Sequence, residues 1–447
     1  MARTAGNESG DEPCLIASNT GLVKMVSRRS AVLSIVRVAS GNFLEMYDFM
    51  VFGYYAAAIG QAFFPSGNAY LSLMLSLTTF GAGFLMRPLG AVVLGAYADK
   101  HGRRAGLLLT LTLMSVGILS IACTPGYATI GLFAPLVVLV GRLVQGFSAG
   151  MELGGVSVYL AEIAPPGRKG FYVSWQSASQ QVAVMVAALI GVVLAARLSP
   201  QALRAWGWRV PLLLGCVIVP LLFLLRRSLP ETDEFTARQR HPQIAEVLAS
   251  LRTNWKIVLI GASMVVMTTV SFYMITAYTP TFGSSVLNLS TLDSLQVTLC
   301  VAASNLLWLP VMGTVSDKVG RKPLLLACTV AMLVTGYPVM LWLTAAPSFT
   351  RLLVTELWLS FLYASYNGAM VVFLTEIMPV EVRTSGFSLA YSLATALFGG
   401  FTPVICMSLI HTTHNPAMPG LWLSVAALCG LAACLLGKRQ EQISDAR

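Results

Sequence analysis

Apolar segments long enough to cross a membrane recur along almost the whole chain, from about Ala31 to Gly437, with polar breaks between them. A helix needs about 20 apolar residues to cross a hydrocarbon core about 30 Å thick. Composition agrees, because only 11% of the residues are charged, against about 25% in soluble domains. The chain is therefore predicted to be an integral membrane protein.

There are about twelve such segments, each with the length of about 20 residues that a membrane-spanning helix needs. They lie at roughly 31–63, 70–97, 104–123, 131–163, 168–196, 206–227, 254–283, 291–316, 322–344, 349–378, 382–411 and 418–437. The longest polar stretch between them divides six segments from six. The predicted organisation is a disordered cytoplasmic tail at 1–29, a six-helix bundle at 30–228, a cytoplasmic linker at 229–253, a second six-helix bundle at 254–437 and a cytoplasmic tail at 438–447.

The net charge of +10 is distributed unevenly between the two sides of the predicted membrane. Basic residues concentrate in alternate loops, including 100–104, 226–240 and 318–322, whereas the opposite loops hold only Arg197, Arg204, Arg209 and Arg351. This is the positive-inside pattern, which predicts that both termini are cytoplasmic and that the number of spans is even. Membrane topology thus explains the basic charge without a nucleic-acid partner.

An internal repeat relates the two halves. Asp99–Arg104 (DKHGRR) returns 218 residues later as Asp317–Lys322 (DKVGRK), in each case between the second and third span of a half. Duplicated six-span halves with a central linker are typical of major facilitator carriers, in which the site lies near the membrane midplane between the halves. We therefore predict an all-α membrane protein with the major facilitator fold, twelve transmembrane helices in two pseudo-symmetric six-helix bundles.

The repeated loop resembles the cytoplasmic loop signature of the major facilitator superfamily. The resemblance implies that Asp99, Arg103, Asp317 and Arg321 form cytoplasmic gate loops, which latch neighbouring helices. A purely topological role for a basic loop is the alternative.

Four ionised side chains fall near the middle of predicted spans: Glu45, Asp48, Arg87 and Arg142. Each such charge costs at least about 2.5–3.5 kcal/mol on insertion scales, so it should be paired or line a cavity. Mutual pairing of two carboxylates with two guanidiniums leaves little net charge. All four lie in the first half, and the second half is expected to contribute neutral contacts. The alternative is that these pairs only stabilise helix packing.

Three of these charges, Glu45, Asp48 and Arg142, lie in recognisable motifs. Gly41–Phe49 (GNFLEMYDF) resembles the first-span signature of the metabolite:proton symporters, a major facilitator family, although Met46 stands where a Trp is often found. Gly141–Gly146 (GRLVQG) resembles the fourth-span motif linked to proton coupling. Further segments around Arg87, 152–160, 174–181, 366–370 and 387–392 make residues 30–437 resemble the bacterial citrate–proton symporters and their tricarballylate-carrying relatives.

The resemblance implies a small tricarboxylate substrate and protons as the coupling ion. Arginine forks bind carboxylates with two parallel hydrogen bonds. We expect proton coupling at Asp48, Glu45 and Arg142, with protonation of the acids releasing the arginines for the substrate. The expected substrate contacts are Arg87, Arg142, Asn42, Gln145, Gln176, Gln180, Asn305, Tyr366, Asn367 and Tyr391. Each neutral member of this set could instead form an interhelical hydrogen bond.

Other classes of function fit the sequence poorly. It holds no Gly-x-x-x-x-Gly-Lys-Ser/Thr loop for ATP, and its eight cysteines are scattered without a Cys-x-x-Cys pair. We expect neither an enzyme, a metal site nor a cofactor. We expect a functional monomer in the lipid bilayer of a bacterial inner membrane. Two alternatives stay open: a proton symporter for 2-oxoglutarate, a dicarboxylate or a betaine-like solute, and a transporter-like sensor.

Overall fold

The structure, a computed structural model, describes residues 14–16, 24–26, 42–101, 103–150, 152–227, 252–379 and 383–444. Near the N-terminus, strands β1 (Cys14–Ile16) and β2 (Lys24–Val26) pair antiparallel. The rest of the predicted tail at 1–29, and the predicted linker up to residue 251, lie outside the described residues.

Six helical columns form the first half, and we number them as spans. Span 1 comprises Asn42–Tyr54 and Ala56–Phe63, span 2 Ala69–Leu85 and Arg87–His101, span 3 Arg103–Cys123, span 4 Phe133–Ala149 and Glu152–Glu162, span 5 Lys169–Arg197, and span 6 Arg209–Arg227. Short helices at Tyr127–Ile130 and Pro200–Ala202 and a π-helical turn at Leu203–Gly207 lie in the connections.

The second half repeats this arrangement with six further columns. Span 7 comprises Trp255–Tyr273, a π-helical segment Met274–Tyr278 and Thr279–Ser285; span 8 is Thr291–Val319, span 9 Arg321–Ala345 and span 10 Phe349–Ile377. Span 11 comprises Arg383–Ala394, a π-helical segment Thr395–Gly399 and Thr402–Thr413, and span 12 is Met418–Ser444. The helix of span 12 thus runs beyond Gly437 to Ser444, while its candidate membrane-spanning part is Met418–Gly437.

The columns have the length and hydropathy of membrane spans. In the described ranges, nine helices are long and apolar enough to cross a membrane, and a bent pair in span 6 makes a tenth. Spans 1 and 4 are each divided into two shorter helices, which is why neither is in that count. The prediction of an all-helical membrane fold with twelve spans is confirmed.

The two halves meet most extensively where span 5 packs against span 8. Gly170 and Gly313 allow their backbones to touch, because a Cβ added to Gly170 would lie 2.3 Å from the carbonyl oxygen of Gly313. Span 11 packs against spans 2 and 4, and span 1 packs against span 7. The site described below lies between these contacts.

We name the two ends of the bundle by one residue each. At the Asp317 end, the Asp317 carboxylate accepts hydrogen bonds from the backbone N–H groups of Gly170 (2.8 Å) and Phe171 (3.0 Å). At the His411 end, the His411 ring stacks on Tyr70, with centroids 4.1 Å apart. Since each contact joins one half to the other, the space between the halves is closed at both ends.

Candidate functional site

Two ion pairs lie in the interior of the first half. Arg87 Nη2 is 2.7 Å from Glu45 Oε1, and Arg142 Nη1 is 3.0 Å from Asp48 Oδ2. Glu45 and Asp48 lie three residues apart on span 1, which places them on the same side of one helix. None of the four side chains is more than 6% exposed. The mutual pairing expected from the sequence is therefore observed.

The two guanidiniums retain unused donors. Arg142 Nη1 also donates to Gln145 Oε1 at 2.7 Å, but Arg142 Nε, Arg142 Nη2 and Arg87 Nε have no hydrogen-bond partner among the described residues. A guanidinium carries five N–H donors. Each arginine could therefore bind further oxygen atoms, as the carboxylates of a substrate would provide.

Phenylalanine rings surround both guanidiniums. The Arg142 guanidinium lies 4.3 Å from the ring centroid of Phe49, and the Arg87 guanidinium lies 4.4 Å from that of Phe84 and 4.9 Å from that of Phe49. The negative face of an aromatic ring attracts a cation, most strongly where water is excluded. These ring contacts therefore stabilise both guanidiniums in the interior of the bundle. The sequence analysis missed this aromatic cluster, although Phe80 and Phe84 have the four-residue spacing of one helix face.

A small cavity lies between the halves beside one of these arginines. Side chains from spans 1, 2, 5, 7, 10 and 11 line it: Met46, Arg87, Gln180, Thr269, Phe272, Tyr273, Tyr363, Tyr391 and Thr395. It has room for about one water molecule. The halves must therefore move apart before a tricarboxylate can enter.

Three of the expected substrate contacts, Arg87, Gln180 and Tyr391, line this cavity. Met46, Phe272, Tyr363 and Thr395 also line it and were not among the expected contacts. Their depth in the membrane was the only sequence signal for these four residues, and most side chains at that depth pack between helices.

Two other predicted contacts, Asn305 and Tyr366, bond to neighbouring helices outside the cavity lining. Asn305 donates to Gln181 of span 5 at 3.2 Å, which joins the two halves, and accepts from Ser360. Tyr366 donates to the backbone oxygen of Met264 at 3.0 Å.

Three predicted contacts remain, all of them amide side chains. Gln176 accepts from the neighbouring Ser177. Asn367 donates to Tyr363, a cavity residue, at 3.4 Å. The side chain of Asn42 lies outside the described residues.

The sequence analysis missed one buried acid. Glu356 of span 10 is 1% exposed, and its Oε1 atom lies 3.0 Å from Thr279 Oγ1 of span 7. Buried acids are therefore not confined to the first half. The sequence reading overlooked Glu356 because it lies near one end of its span, where a carboxylate is usually exposed to water.

The predicted gate loops are described only in the second half. Asp317 lies 2.7 Å from Arg321 and binds the first N–H groups of span 5, where unpaired backbone donors and the helix dipole favour an anion. Arg321 also contacts Glu376 at 3.4 Å. The side chains of Asp99 and Arg103 lie outside the described residues.

The sequence and the fold were compared with those of known proteins. The sequence profile of the Major Facilitator Superfamily matches residues 38–403. The chain is 58% identical to the citrate-proton symporter of Klebsiella pneumoniae over 95% of its own length and 96% of that protein. It is also 58% identical to the citrate-proton symporter of Salmonella typhi, covering 91% of this chain and 94% of that protein. The partially occluded, inward-open xylose transporter of E. coli superposes with a TM-score of 0.71 at 20% identity, covering 91% of this chain and 98% of that one.

Proposed function

The chain belongs to the major facilitator superfamily, and on that basis we propose that it is a secondary active transporter that imports citrate, or a related tricarboxylate, together with protons. It works as a carrier and not as an enzyme, with protons as the coupling ion and no cofactor. Identity of 58% over 95% of the chain to a citrate-proton symporter supports this substrate. Alternating access of a midplane site is the mechanism of such two-halved carriers.

The observation that carries the proposal is the pair of buried arginines, each held by one carboxylate. Glu45 forms an ion pair with Arg87, and Asp48 forms an ion pair with Arg142. When a proton neutralises one of these acids, its arginine loses its counter-ion in a water-poor environment. A substrate carboxylate then replaces the lost partner with charge-assisted hydrogen bonds. Binding of protons and binding of citrate thus favour each other.

Coupling to protons also follows from the charge of the substrate. Moving each negative charge inward against an inside-negative potential costs about 2.3 kcal/mol per 100 mV. Protons that enter with citrate offset this cost. A site with two carboxylates and two guanidiniums can exchange fixed negative charge for substrate charge without a large change in net charge.

We further propose an orientation and a setting. The Asp317 end faces the cytoplasm and the His411 end faces outward, because the basic loops lie at the Asp317 end. Both termini are then cytoplasmic, in a bacterial inner membrane. Large apolar side chains on the outer surface of the first half support contact with lipid, since Leu132 is 75% exposed and Phe133 is 70% exposed. One chain holds both halves of the site, so we propose a functional monomer.

The test is uptake of labelled citrate into proteoliposomes with an imposed proton gradient. We expect concentrative uptake that collapses with an uncoupler, and competition by tricarballylate and isocitrate. Competition only by 2-oxoglutarate or a betaine would overturn the citrate assignment and leave a proton-coupled carrier. Absence of both uptake and citrate counterflow, with folded protein, would favour a sensor instead.

A further inference from the structure

Glu356 is a buried acid that the scheme above does not use. Its Oε1 atom lies 3.0 Å from Thr279 Oγ1, and its Oε2 atom has no hydrogen-bond partner among the described residues. No arginine, lysine or histidine in the described ranges lies within ion-pair distance of it. Asp48, by contrast, is held by Arg142. A lone ionised carboxylate in such a place would bear most of its desolvation penalty uncompensated.

The Thr279 hydroxyl has a single hydrogen and lies near two oxygen atoms. Thr279 Oγ1 lies 3.0 Å from Glu356 Oε1 and 3.1 Å from the backbone oxygen of Met274. A hydroxyl has one hydrogen to donate and can also accept. If Glu356 is ionised, both neighbours are acceptors, and one of the two contacts has no hydrogen. If Glu356 carries a proton, it donates to Thr279, and Thr279 donates to Met274. Only the protonated acid satisfies both contacts.

The geometry points to Glu356 as a second proton-binding site: a proton taken up from outside stabilises the closed His411 end and locks the break in span 7 until that proton is released to the inside. This inference rests on the proposed function, since it adds one proton site to the transport cycle. It is distinct from the acid–arginine pairs of span 1, because no cation replaces the proton at Glu356.

The lock acts on a contact between the halves. Thr279 directly follows the π-helical segment Met274–Tyr278 and precedes Pro280, so it lies where span 7 is irregular. π-helical turns occur often at functional sites. The same part of span 7 touches span 1: Thr281 donates to the backbone oxygen of Gly53 at 3.3 Å. A Cβ added to Gly53 would lie 3.2 Å from the Ala277 oxygen.

Loss of the proton from Glu356 would remove this support. The carboxylate would take the Thr279 hydrogen away from Met274 and would still need water for its second oxygen. Opening of the His411 end supplies that water. Protonation from outside therefore favours closure of this end. Release of the proton to the inside, while the Asp317 end is open and the His411 end is still closed, removes the lock and lets the His411 end reopen for a new cycle.

Other titratable or charged groups do not share this proton. On the elements packed against span 10, the titratable or charged groups toward the same end are Arg197 of span 5, Tyr278 of span 7, Asp293 and Cys300 of span 8, Tyr337 of span 9, Cys406 and His411 of span 11, and Arg351 on span 10 itself. None of them forms a hydrogen bond or ion pair with Glu356, whose partner is Thr279. Arg351 donates instead to the backbone oxygen of Trp342 at 2.8 Å.

The decisive measurement is the number of protons carried per substrate, from reversal potentials in proteoliposomes with citrate. Glu356→Gln keeps the hydrogen bond to Thr279 but cannot exchange a proton. We expect it to retain citrate counterflow and to carry fewer protons per citrate by about one. Asp293→Asn, which removes a carboxyl at the same end of the neighbouring span, is the matched control and should keep the wild-type ratio. An unchanged ratio in Glu356→Gln would overturn the proposal.

A second measurement does not depend on transport. Infrared spectra of the purified protein should contain a protonated carboxyl band at neutral pH that disappears in Glu356→Gln and remains in Asp293→Asn. If the band is the same in all three proteins, Glu356 is ionised and the proposal fails. If the band behaves as expected but wild-type protein carries no citrate, the proposed function fails and the proton site stands.

Substitutions at Thr279 test the proposal even if Glu356→Gln folds poorly. Thr279→Val removes the hydroxyl and keeps the side-chain volume, so the pH profile of citrate exchange should shift relative to wild type. Thr279→Ser restores the hydroxyl and should restore the profile. Equal pH profiles for the valine and serine variants would contradict a hydrogen-bonded lock.

Discussion

At the scale of single residues, each of the four charged side chains has one partner of opposite charge. The two arginines also keep N–H donors that have no hydrogen-bond partner among the described residues. Arg142 uses only Nη1 for its contacts with Asp48 and Gln145, while its other nitrogens face phenylalanine rings. Removing one member of a buried ion pair typically costs about 3–5 kcal/mol, because the remaining charge is left unpaired. Substitutions that keep the shape of the side chain are therefore the informative ones.

Asp48→Asn should uncouple transport from protons. The amide cannot bind or release a proton, so concentrative citrate uptake driven by a proton gradient should fall at least about tenfold, which corresponds to about 1.4 kcal/mol. Counterflow needs no net proton movement and should persist. Gradient-driven uptake and counterflow in the same proteoliposomes provide the comparison, with Asp293→Asn as control. Wild-type concentrative uptake by Asp48→Asn would rule out Asp48 as a coupling residue.

Arg87→Lys should weaken citrate binding. Lysine keeps the charge but loses the planar fork that binds a carboxylate through two hydrogen bonds. Hydrogen bonds to charged groups contribute about 1.5–3 kcal/mol, so KM for citrate should rise by about tenfold or more. Arg351→Lys, at the His411 end and away from the cavity, should leave KM unchanged. A wild-type KM in Arg87→Lys would argue that Arg87 only stabilises helix packing.

At the scale of helices, the contacts between the halves depend on small residues and on irregular turns. Spans 7 and 11, which both line the cavity, each contain a π-helical segment, Met274–Tyr278 and Thr395–Gly399. Spans 5 and 8 touch through Gly170 and Gly313, beside the Asp317 hydrogen bonds. Close packing of this kind has two stable arrangements, together or apart, and so suits a gate.

Gly313→Ala should hold the Asp317 end open. A Cβ on Gly313 would lie 2.5 Å from the Gly170 backbone oxygen, so spans 5 and 8 could not approach as they do here. Citrate transport should fall severalfold, and a reporter cysteine near Gly170 should react faster with a thiol reagent. Gly95 precedes the equivalent loop of the first half and has no neighbour within 4 Å of its added Cβ. Gly95→Ala is therefore the control, and equal labelling in both variants would contradict the gate.

At the scale of the whole molecule, two similar halves close over a site whose buried charges they share unequally. The first half supplies both acid–arginine pairs, and the second supplies Glu356 without a cation. Both ends are closed in this structure, which corresponds to an intermediate of alternating access between the outward-open and inward-open states. Transport then requires that each end open while the other stays shut.

Joining the two sides of the His411 end should stop the cycle. Tyr70 of span 2 and His411 of span 11 stack with ring centroids 4.1 Å apart across the two halves. In a background without the eight native cysteines, Tyr70→Cys with His411→Cys and a short bifunctional thiol reagent should abolish citrate uptake. Cleavage of the cross-link should restore uptake, and Tyr70→Cys alone should be insensitive. Continued uptake by the cross-linked protein would show that this end need not open.

The spans, the duplicated halves and the burial of four charged side chains in the first half could be predicted from the sequence alone. It could do so because apolar length and the cost of a buried charge are properties of the chain that need no knowledge of neighbours. The motif resemblance added the family, which the comparisons confirm.

Which polar residues of equal depth face the cavity depends on the tertiary structure. Gln180 and Tyr391 line it, whereas Tyr366 bonds the backbone of span 7 and Asn305 bonds Gln181 and Ser360. Depth along a helix follows from residue number, but the direction in which a side chain points depends on how that helix is rotated against its neighbours. Glu356 lies near one end of its span, and its burial likewise depends on packing against neighbouring helices, among them span 7 at Thr279.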